Sequence, residues 1–339
     1  MGQSLAVKYR PKSFEETLGQ SSTIKILERQ LELGKLSHCY LFAGASGAGK
    51  TTSARIFAME INKHKGSPIE IDAASNNGVD AIRAIVDSAR ERAVDSEYKI
   101  FIIDECHSIS SQGWQAFLKC IEEPPEYTIF MFCTTNPEKV PETIQNRVMR
   151  LNISKVDTRL IAERLKFICK QEGFTNYDEA CDYLSKLGNG GVRDSIAYLE
   201  KCANYNPDLS IDNVLECLGN FSYDSFFNLT GALLNGDEAE VLSMVEDYYN
   251  SGNDLKMFIE NFLEFSLDLA KYCLFRSMSI VKIPSSLESR CIGYSSIPDI
   301  LDYTNNLVSK LLDIKNAIRQ DINPKNTVEV MLINICRGM

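Results

Sequence analysis

The 339-residue chain lacks any run of 18 apolar residues, and its opening MGQSLAVKYRPK has no apolar stretch of the kind a secretory leader carries. Neither a membrane span nor export is expected, and the chain reads as a cytoplasmic protein that meets no membrane. Paired cysteines are missing too. Eleven cysteines are scattered singly, none in a C-x-x-C pair, and several sit inside apolar runs, such as Cys133 in IFMFCTT and Cys273 in AKYCLF. That spacing argues against a disulfide framework or a metal cage, and fits free thiols packed as small hydrophobic groups in a reducing compartment. No internal repeat and no low-complexity tract occurs. A surplus of positive charge is absent as well: the net charge is −10. Residues 1 to 155 carry 19 basic and 19 acidic side chains, whereas 156 to 339 carry 17 and 27, so all the surplus acid lies in the second half. A generic basic nucleic-acid binder is disfavoured, although a neutral N-terminal domain can present a local basic face within an oligomer.

What is present is an ordinary globular composition, 44% hydrophobic and 24% charged, in a chain long enough for two or three domains. Its most informative stretch is Leu41 to Thr52, LFAGASGAGKTT. Gly44, Gly47, Gly49, Lys50 and Thr51 stand in G-x-x-x-x-G-K-T order, with Ala45, Ser46, Ala48 and Thr52 completing the loop. Glycines let backbone N–H groups converge on phosphate oxygens, Lys50 can reach the β and γ phosphates, and the Thr51 hydroxyl can take a Mg²⁺ position. An apolar strand before the loop and an amphipathic helix at 53–61 after it supply the right context, with the positive end of the helix facing the anion.

Strand-like runs alternate with helical patterns as far as residue 153: CYLFA (39–43), IEIDA (69–73), YKIFIID (98–104), TIFMFCTT (128–135) and VMRLNI (148–153). The alternation predicts an α/β fold with a parallel sheet between helices. Beyond residue 157 the pattern is helical, at 158–171, 178–187, 192–203 and 211–218, with a break at Gly188-Asn-Gly-Gly191. Ser210 is expected to cap the 211–218 helix and Gly219-Asn220 to end it. Longer helices follow, separated by SGND (251–254) and a looser stretch around 283–298. The layout is therefore a nucleotide-binding domain at 1–155, a small helical domain at 156–220 and a larger helical domain at 221–339.

Other residues carry chemistry at the same sheet edge. The strand KIFII ends in Asp104-Glu105-Cys106-His107. After a phosphate loop, Asp104 is suited to hold Mg²⁺ through water and Glu105 to orient and deprotonate the attacking water; the bland alternative is a solvated pair at a strand end. The letters DECH invite a helicase label, but the helical second half offers no second lobe of strands and helices. Thr134, Thr135 and Asn136 end the next strand, where one can bind the γ-phosphate or the lytic water, or merely form an Asn-Pro turn. Arg147 follows a short helix and can reach a neighbouring subunit's phosphate. A trans arginine of that kind contributes roughly 10³ to 10⁵ in rate, while a plain surface arginine contributes almost nothing. Arg193 opens a helix, an unfavourable end for a cation, so its position leans toward function.

Seven segments in order resemble the ATPase subunits of DNA sliding-clamp loaders, in the AAA+ superfamily: VKYRPKSFEETLGQ, HCYLFAGASGAGKTT, EIDAASNNGVDAIR, FIIDECHSIS, FLKCIEEPPE, CTTNPEKVPETIQNR and GNGGVRDSI. LKCIEEPPE and TTNPEKVPETI are most similar to the bacterial gamma/tau (DnaX) type, and the small subunits of replication factor C come second. The likeness covers residues 4 to about 220. It implies a P-loop AAA+ domain with a parallel sheet, a helical lid at 156–220 and an all-α collar at 221–339 that oligomerises. It further implies ATP and Mg²⁺ as cofactors, with Tyr9, Arg10 and Pro11 beside the adenine, Thr51 and Asp104 as metal ligands, and Glu105 as the catalytic carboxylate. Thr135 or Asn136 becomes sensor 1, Arg193 sensor 2 and Arg147 the trans finger. Asn76, Asn77, Gly78 and Arg83 would track duplex phosphate without reading sequence.

Two departures stand out. Where bacterial relatives carry a four-cysteine zinc module, Lys63-His-Lys-Gly-Ser-Pro68 joins helix to strand directly, so no zinc is expected. The finger motif keeps its arginine but loses its flanks, as Asn146-Arg147-Val148. The expected protein is a compact version, bacterial or phage-encoded, that joins other clamp-loader subunits in a pentamer-like assembly with a sliding clamp, primer-template DNA and a DNA polymerase. The rivals are another AAA+ DNA machine, such as a branch-migration helicase or helicase loader, and an ATP-gated scaffold without turnover.

Overall fold

The structure, a computed structural model, describes residues 3–218, 223–321 and 323–338. The chain divides into two compact units, Met1–Ile168 with Leu184–Glu200, and Cys169–Tyr183 with Lys201–Met339.

The first unit is built on five parallel strands, β1 (Cys39–Gly44), β2 (Ile69–Asp72), β3 (Lys99–Asp104), β4 (Thr128–Thr134) and β5 (Met149–Ile153), in the order β2-β3-β4-β1-β5. Each crossover carries a helix: α1 (Leu5–Lys8) and α2 (Ser21–Leu33) precede β1, and α3 (Lys50–Ile61), α4 (Val79–Ala89), α5 (Ser111–Glu122) and α6 (Glu142–Gln145) join the strands. The continuous apolar runs of β1, β3 and β4 arise because both sheet faces are covered. Cys39, Leu41, Phe101, Ile103, Phe130 and Phe132 pack under Ile82 and Val86 of α4 and Trp114 and Phe117 of α5. Their alternate neighbours Tyr40, Phe42, Ile100, Ile102, Ile129 and Met131 pack against Leu27 of α2 and Phe57 and Ala58 of α3. The period of two thus divides each strand between two cores.

Since all five strands run the same way, the ends of β1, β3 and β4 meet at one edge. At that edge Gly44 is paired with Ile153, and a Cβ added to it would lie 2.1 Å from the Ile153 carbonyl oxygen. A glycine is required here by the approach of two backbones, apart from any ligand.

The expected strands agree with the observed ones to within a residue or two at each end. The helix after the phosphate loop begins at Lys50, three residues before the expected 53, so the loop's own GKTT forms its first turn. The unit boundary falls within three helices, α7 (Thr158–Glu172), α8 (Asp178–Leu187) and α9 (Val192–Tyr205). The rest of the second unit holds α10 (Ile211–Leu218), α11 (Tyr223–Asn235), α12 (Glu238–Asn250), α13 (Leu255–Phe275), α14 (Glu288–Ser295), α15 (Ile300–Ile318) and α16 (Lys325–Gly338). The Gly219-Asn220 stop lies outside the described residues. Asp254 of SGND caps α13, accepting the Lys256 N–H at 2.7 Å. Along α13, Phe258, Phe262 and Phe265 line up beside Phe226 of α11, with ring centroids 5.4–5.8 Å from it. The stretch read as loose around 283–298 contains α14, which buries Cys291 and Ser295 one turn apart. Two turns bury too few residues to reveal a helical period. Among the described residues no helix is long and apolar enough to cross a membrane.

Gly44→Ala is expected to destabilise the protein by roughly 1–3 kcal/mol, the usual cost of forcing extra atoms into a packed interior. Its denaturant midpoint should fall, and an unchanged midpoint would contradict the close β1–β5 approach.

Candidate functional site

Local backbone geometry shapes the loop between β1 and α3. Gly47 has φ +67° and Gly49 φ +105°, in the region that favours glycine. A Cβ on Gly47 would lie 2.9 Å from Asp194 Oδ2, so the position is closed to side chains on two counts. The first N–H groups of α3 have no carbonyl one turn back, and a helix start of this kind attracts anions. Lys50, only 6% exposed, donates from Nζ to the Ala45 carbonyl at 3.0 Å, folding back over its own loop. The Thr51 hydroxyl donates to Asp104 Oδ2 at 2.7 Å, joining the start of α3 to the end of β3.

Around this loop lies a cleft of about 950 Å³, counting the solvent at its mouth, within the usual range for small-molecule sites. Tyr9, Arg10 and Pro11 form one wall, Ser46 to Thr52 the floor, and Asp104, Glu105 and Arg193 the far side. Gly44 and Ala45 are not part of the lining; Ala45 contributes through its carbonyl. The Val192 N–H at the start of α9 donates to the Gly47 carbonyl at 3.1 Å, which ties the position of Arg193 to the loop.

Glu105 sits at φ +47°, a left-handed conformation unusual for a residue with a side chain. Its Oε2 accepts from the Thr135 hydroxyl at 3.2 Å, and His107 Nδ1 lies 3.2 Å from the same oxygen. Asn136, by contrast, contributes its backbone N–H to Thr134 Oγ1 at 3.0 Å. Of the two residues between which the sequence left sensor 1 open, Thr135 is the one that touches Glu105.

Charge in the cleft is mainly positive. Burial lowers the Arg10 pKa, and the neighbouring Arg55 and Arg193 push it the same way, against Glu70 and Asp104. A guanidinium remains charged at neutral pH regardless, so the crowding stores cationic potential that a polyanion would relieve. Arg55 is partly neutralised by Glu70, its Nη2 lying 2.5 Å from Oε2. The two thiols beside the carboxylates, Cys106 and Cys133, are pushed well above the ordinary range, first by burial and then by Glu105 and Asp104 respectively. They stay neutral and act as packing.

Arg147 lies outside this cleft. Its guanidinium bridges Glu122 Oε1 at 2.8 Å and the Thr143 carbonyl at 2.7 Å, and it is about 40% exposed. Asn76, Asn77, Gly78 and Arg83 are also apart from the cleft: Gly78 precedes α4, Asn76 bonds back to the Asp72 carbonyl, and Arg83 faces Asp80 at 3.4 Å, both exposed. Two cleft residues escaped the sequence reading. Arg164 of α7 lines the cleft, donates to the Tyr9 carbonyl at 2.8 Å and stands 5.3 Å from the Phe167 ring. No sequence signal marks it, since an arginine on an amphipathic helix reads as solvated. His107 was visible within DECH but carried no assigned role.

The donor set suits a small hard cation. Thr51 and Asp104 offer one hydroxyl and one carboxylate already within hydrogen-bond distance, the oxygen pair with which Mg²⁺ is held beside phosphates and water. Among the described residues no group of three or more His, Cys, Asp or Glu is placed to hold a metal.

Comparison with known proteins adds two family matches. The family described as DNA polymerase III, delta subunit, matches residues 64–157, and that described as DNA polymerase III subunits gamma and tau domain III matches residues 209–287. The chain is similar to DNA polymerase III subunit gamma of Buchnera aphidicola (subsp. Schizaphis graminum), 33% identical over 72% of this chain and 73% of that one. It is 30% identical to subunit tau of Bacillus subtilis over 99% of this chain and 63% of the relative, and 31% identical to subunit gamma/tau of Mycoplasma genitalium over 83% and 51%. It thus spans between half and just under two thirds of the length of these last two relatives. Among solved structures it resembles Thermotoga maritima RuvB, described as a Holliday junction branch migration motor, with TM-score 0.52 and 22% identity over 66% of this chain and 79% of that one. At that identity the likeness concerns the AAA+ fold alone.

Replacing Lys50 by Ala should weaken binding of a fluorescent nucleoside triphosphate roughly 10- to 100-fold, the worth of a hydrogen bond to a charged group at ~1.5–3 kcal/mol. Unchanged affinity in a direct titration would remove the phosphate reading of this loop.

Proposed function

Because the chain belongs to the DNA polymerase III gamma/tau family, we propose that it is an ATP-hydrolysing subunit of a clamp loader. In this reading ATP binding assembles subunits that open a sliding clamp and grip primer-template DNA, and hydrolysis releases both. The observation that carries the proposal is the junction of Thr51, Asp104, Glu105 and Thr135 at the head of a cationic cleft, which unites phosphate binding with a positioned carboxylate.

The chemistry follows from what each residue can do. Lys50 and the N–H groups at the start of α3 bind the β and γ phosphates, while Tyr9, Arg10 and Pro11 enclose the base. Thr51 Oγ1 and Asp104 hold Mg²⁺, which supplies charge neutralisation across the phosphate oxygens. Glu105 orients a water toward the γ-phosphorus and accepts its proton, and Thr135 serves as sensor 1 by holding that carboxylate. Arg193 reaches the nucleotide from α9. With its guanidinium turned away from its own cleft, Arg147 is suited to complete a neighbour's site. Its ion pair with Glu122 is half exposed and therefore weak enough to exchange.

The partners follow from the family: other loader subunits in an assembly of about five, a sliding clamp, primer-template DNA and the polymerase, in the cytoplasm. Residues 156–220 act as the lid and 221–339 as the collar. DNA phosphates meet the start of α4 at Asn76, Asn77 and Gly78, with Arg83 exchanging Asp80 for phosphate. A few inward groups multiplied over several subunits let an acidic chain hold DNA.

Glu105→Gln is expected to retain ATP binding while turnover falls roughly 10²- to 10⁴-fold, the range for loss of a general base. The ATPase rate of the unaltered complex should rise with DNA and rise again when a sliding clamp is added; a clamp without effect favours another AAA+ machine. Arg147→Ala complexes should lose a large part of a trans-finger contribution of roughly 10³–10⁵. Mixing them with Lys50→Ala subunits should restore some sites, and wild-type hydrolysis in pure Arg147→Ala complexes would remove the finger assignment.

A further inference from the structure

His107 stands three residues beyond Asp104, in the single 3-10 turn Cys106–Ser108. Its side chain is 17% exposed, with Nδ1 3.2 Å from Glu105 Oε2 and 3.1 Å from Thr134 Oγ1. An ionised carboxylate oxygen can only accept a hydrogen bond. Were Nδ1 unprotonated, its lone pair would face that oxygen directly, an arrangement of mutual repulsion. With Nδ1 protonated, both neighbours are satisfied, because Thr134 Oγ1, although it already accepts the Asn136 N–H at 3.0 Å, has a second lone pair. The network therefore assigns the proton to Nδ1.

From this geometry we infer that His107 is a positioning residue for Glu105, a role that rests on the reading of Glu105 as the base. Two donors from different segments, the His107 Nδ1–H after β3 and the Thr135 hydroxyl after β4, converge on the single oxygen Oε2. Glutamate has three rotatable side-chain bonds, and holding it still otherwise costs up to about 2 kcal/mol of rotamer freedom. With Oε2 anchored twice, Oε1 is the oxygen left to take the proton from the water. His107 itself touches neither nucleotide nor water. The backbone of the same turn places the anchor, since the left-handed Glu105 reverses the chain just before the ring.

Two substitutions separate an anchor from a filler. The amide nitrogen of His107→Asn branches from Cγ as Nδ1 does, whereas that of His107→Gln lies one bond farther out, nearer the place of Nε2. Steady-state ATP hydrolysis by the assembled complex with DNA should show His107→Asn within about threefold of the parent kcat. His107→Gln should fall roughly 10- to 100-fold, as expected when a reacting group is held about 1 Å out of place. KM for ATP and the thermal midpoint should stay near parental values in both. Equal losses in the two variants, no loss in either, or a loss that tracks a lowered thermal midpoint would overturn the inference. Glu105→Gln, assayed alongside, keeps the two ideas apart. Wild-type turnover there removes the base reading itself, whereas a dead Glu105→Gln with indistinguishable His107 variants removes only the anchor.

Discussion

The site depends on the order in which parallel strands lie side by side. Neighbouring strands stand about 4.8 Å apart, so the ends of β1 and β3, with β4 between them, are separated by roughly 10 Å. The loop after β1 rises over β4 and brings Thr51 to Asp104, and their 2.7 Å hydrogen bond closes the gap. Once that bond exists, the start of α3, the carboxylates of β3 and the hydroxyls of β4 must share one small volume. The glycines serve the same closure: Gly44 lets β5 come near from the other side, and Gly47 leaves room for Asp194 at the head of α9.

An acidic chain with a cationic cleft is less paradoxical than its net charge suggests. The surplus carboxylates belong to residues 156–339, while Lys50, Arg10, Arg164 and Arg193 converge on one hollow. Crowding these cations together opposes their own charge, as the lowered Arg10 pKa registers. An anionic ligand reverses the sign of that interaction. Beneath the carboxylates the thiols of Cys106 and Cys133 are fully buried and uncharged, so the negative charge there is confined to Asp104 and Glu105.

Much of this was legible in the sequence because both faces of the sheet are covered. Continuous apolar runs such as TIFMFCTT can hardly be anything but central strands, and the loop glycines stand at fixed offsets from one of them. What escaped has physical reasons as well. Arg164 lies on an amphipathic helix whose pattern reads only burial, and its bond to the Tyr9 carbonyl joins residues 155 positions apart. Thr135 and Asn136 are adjacent in sequence and chemically alike in that both are polar; only the turn after β4 distinguishes the hydroxyl beside Glu105 from the amide that is not. α14 was hidden between Pro284 and Pro298 because a helix of eight residues shows one buried stripe too short to count as a period.

The left-handed backbone at Glu105 sets stability and chemistry against each other at one residue. For any amino acid with a Cβ, such a conformation carries a penalty on the order of 1–3 kcal/mol, which glycine would not incur. Selection for a sturdier fold alone would therefore drift toward glycine at this point and erase the carboxylate. That an acid persists there makes the position a built-in compromise, where thermal robustness is surrendered for the placement of a single proton acceptor.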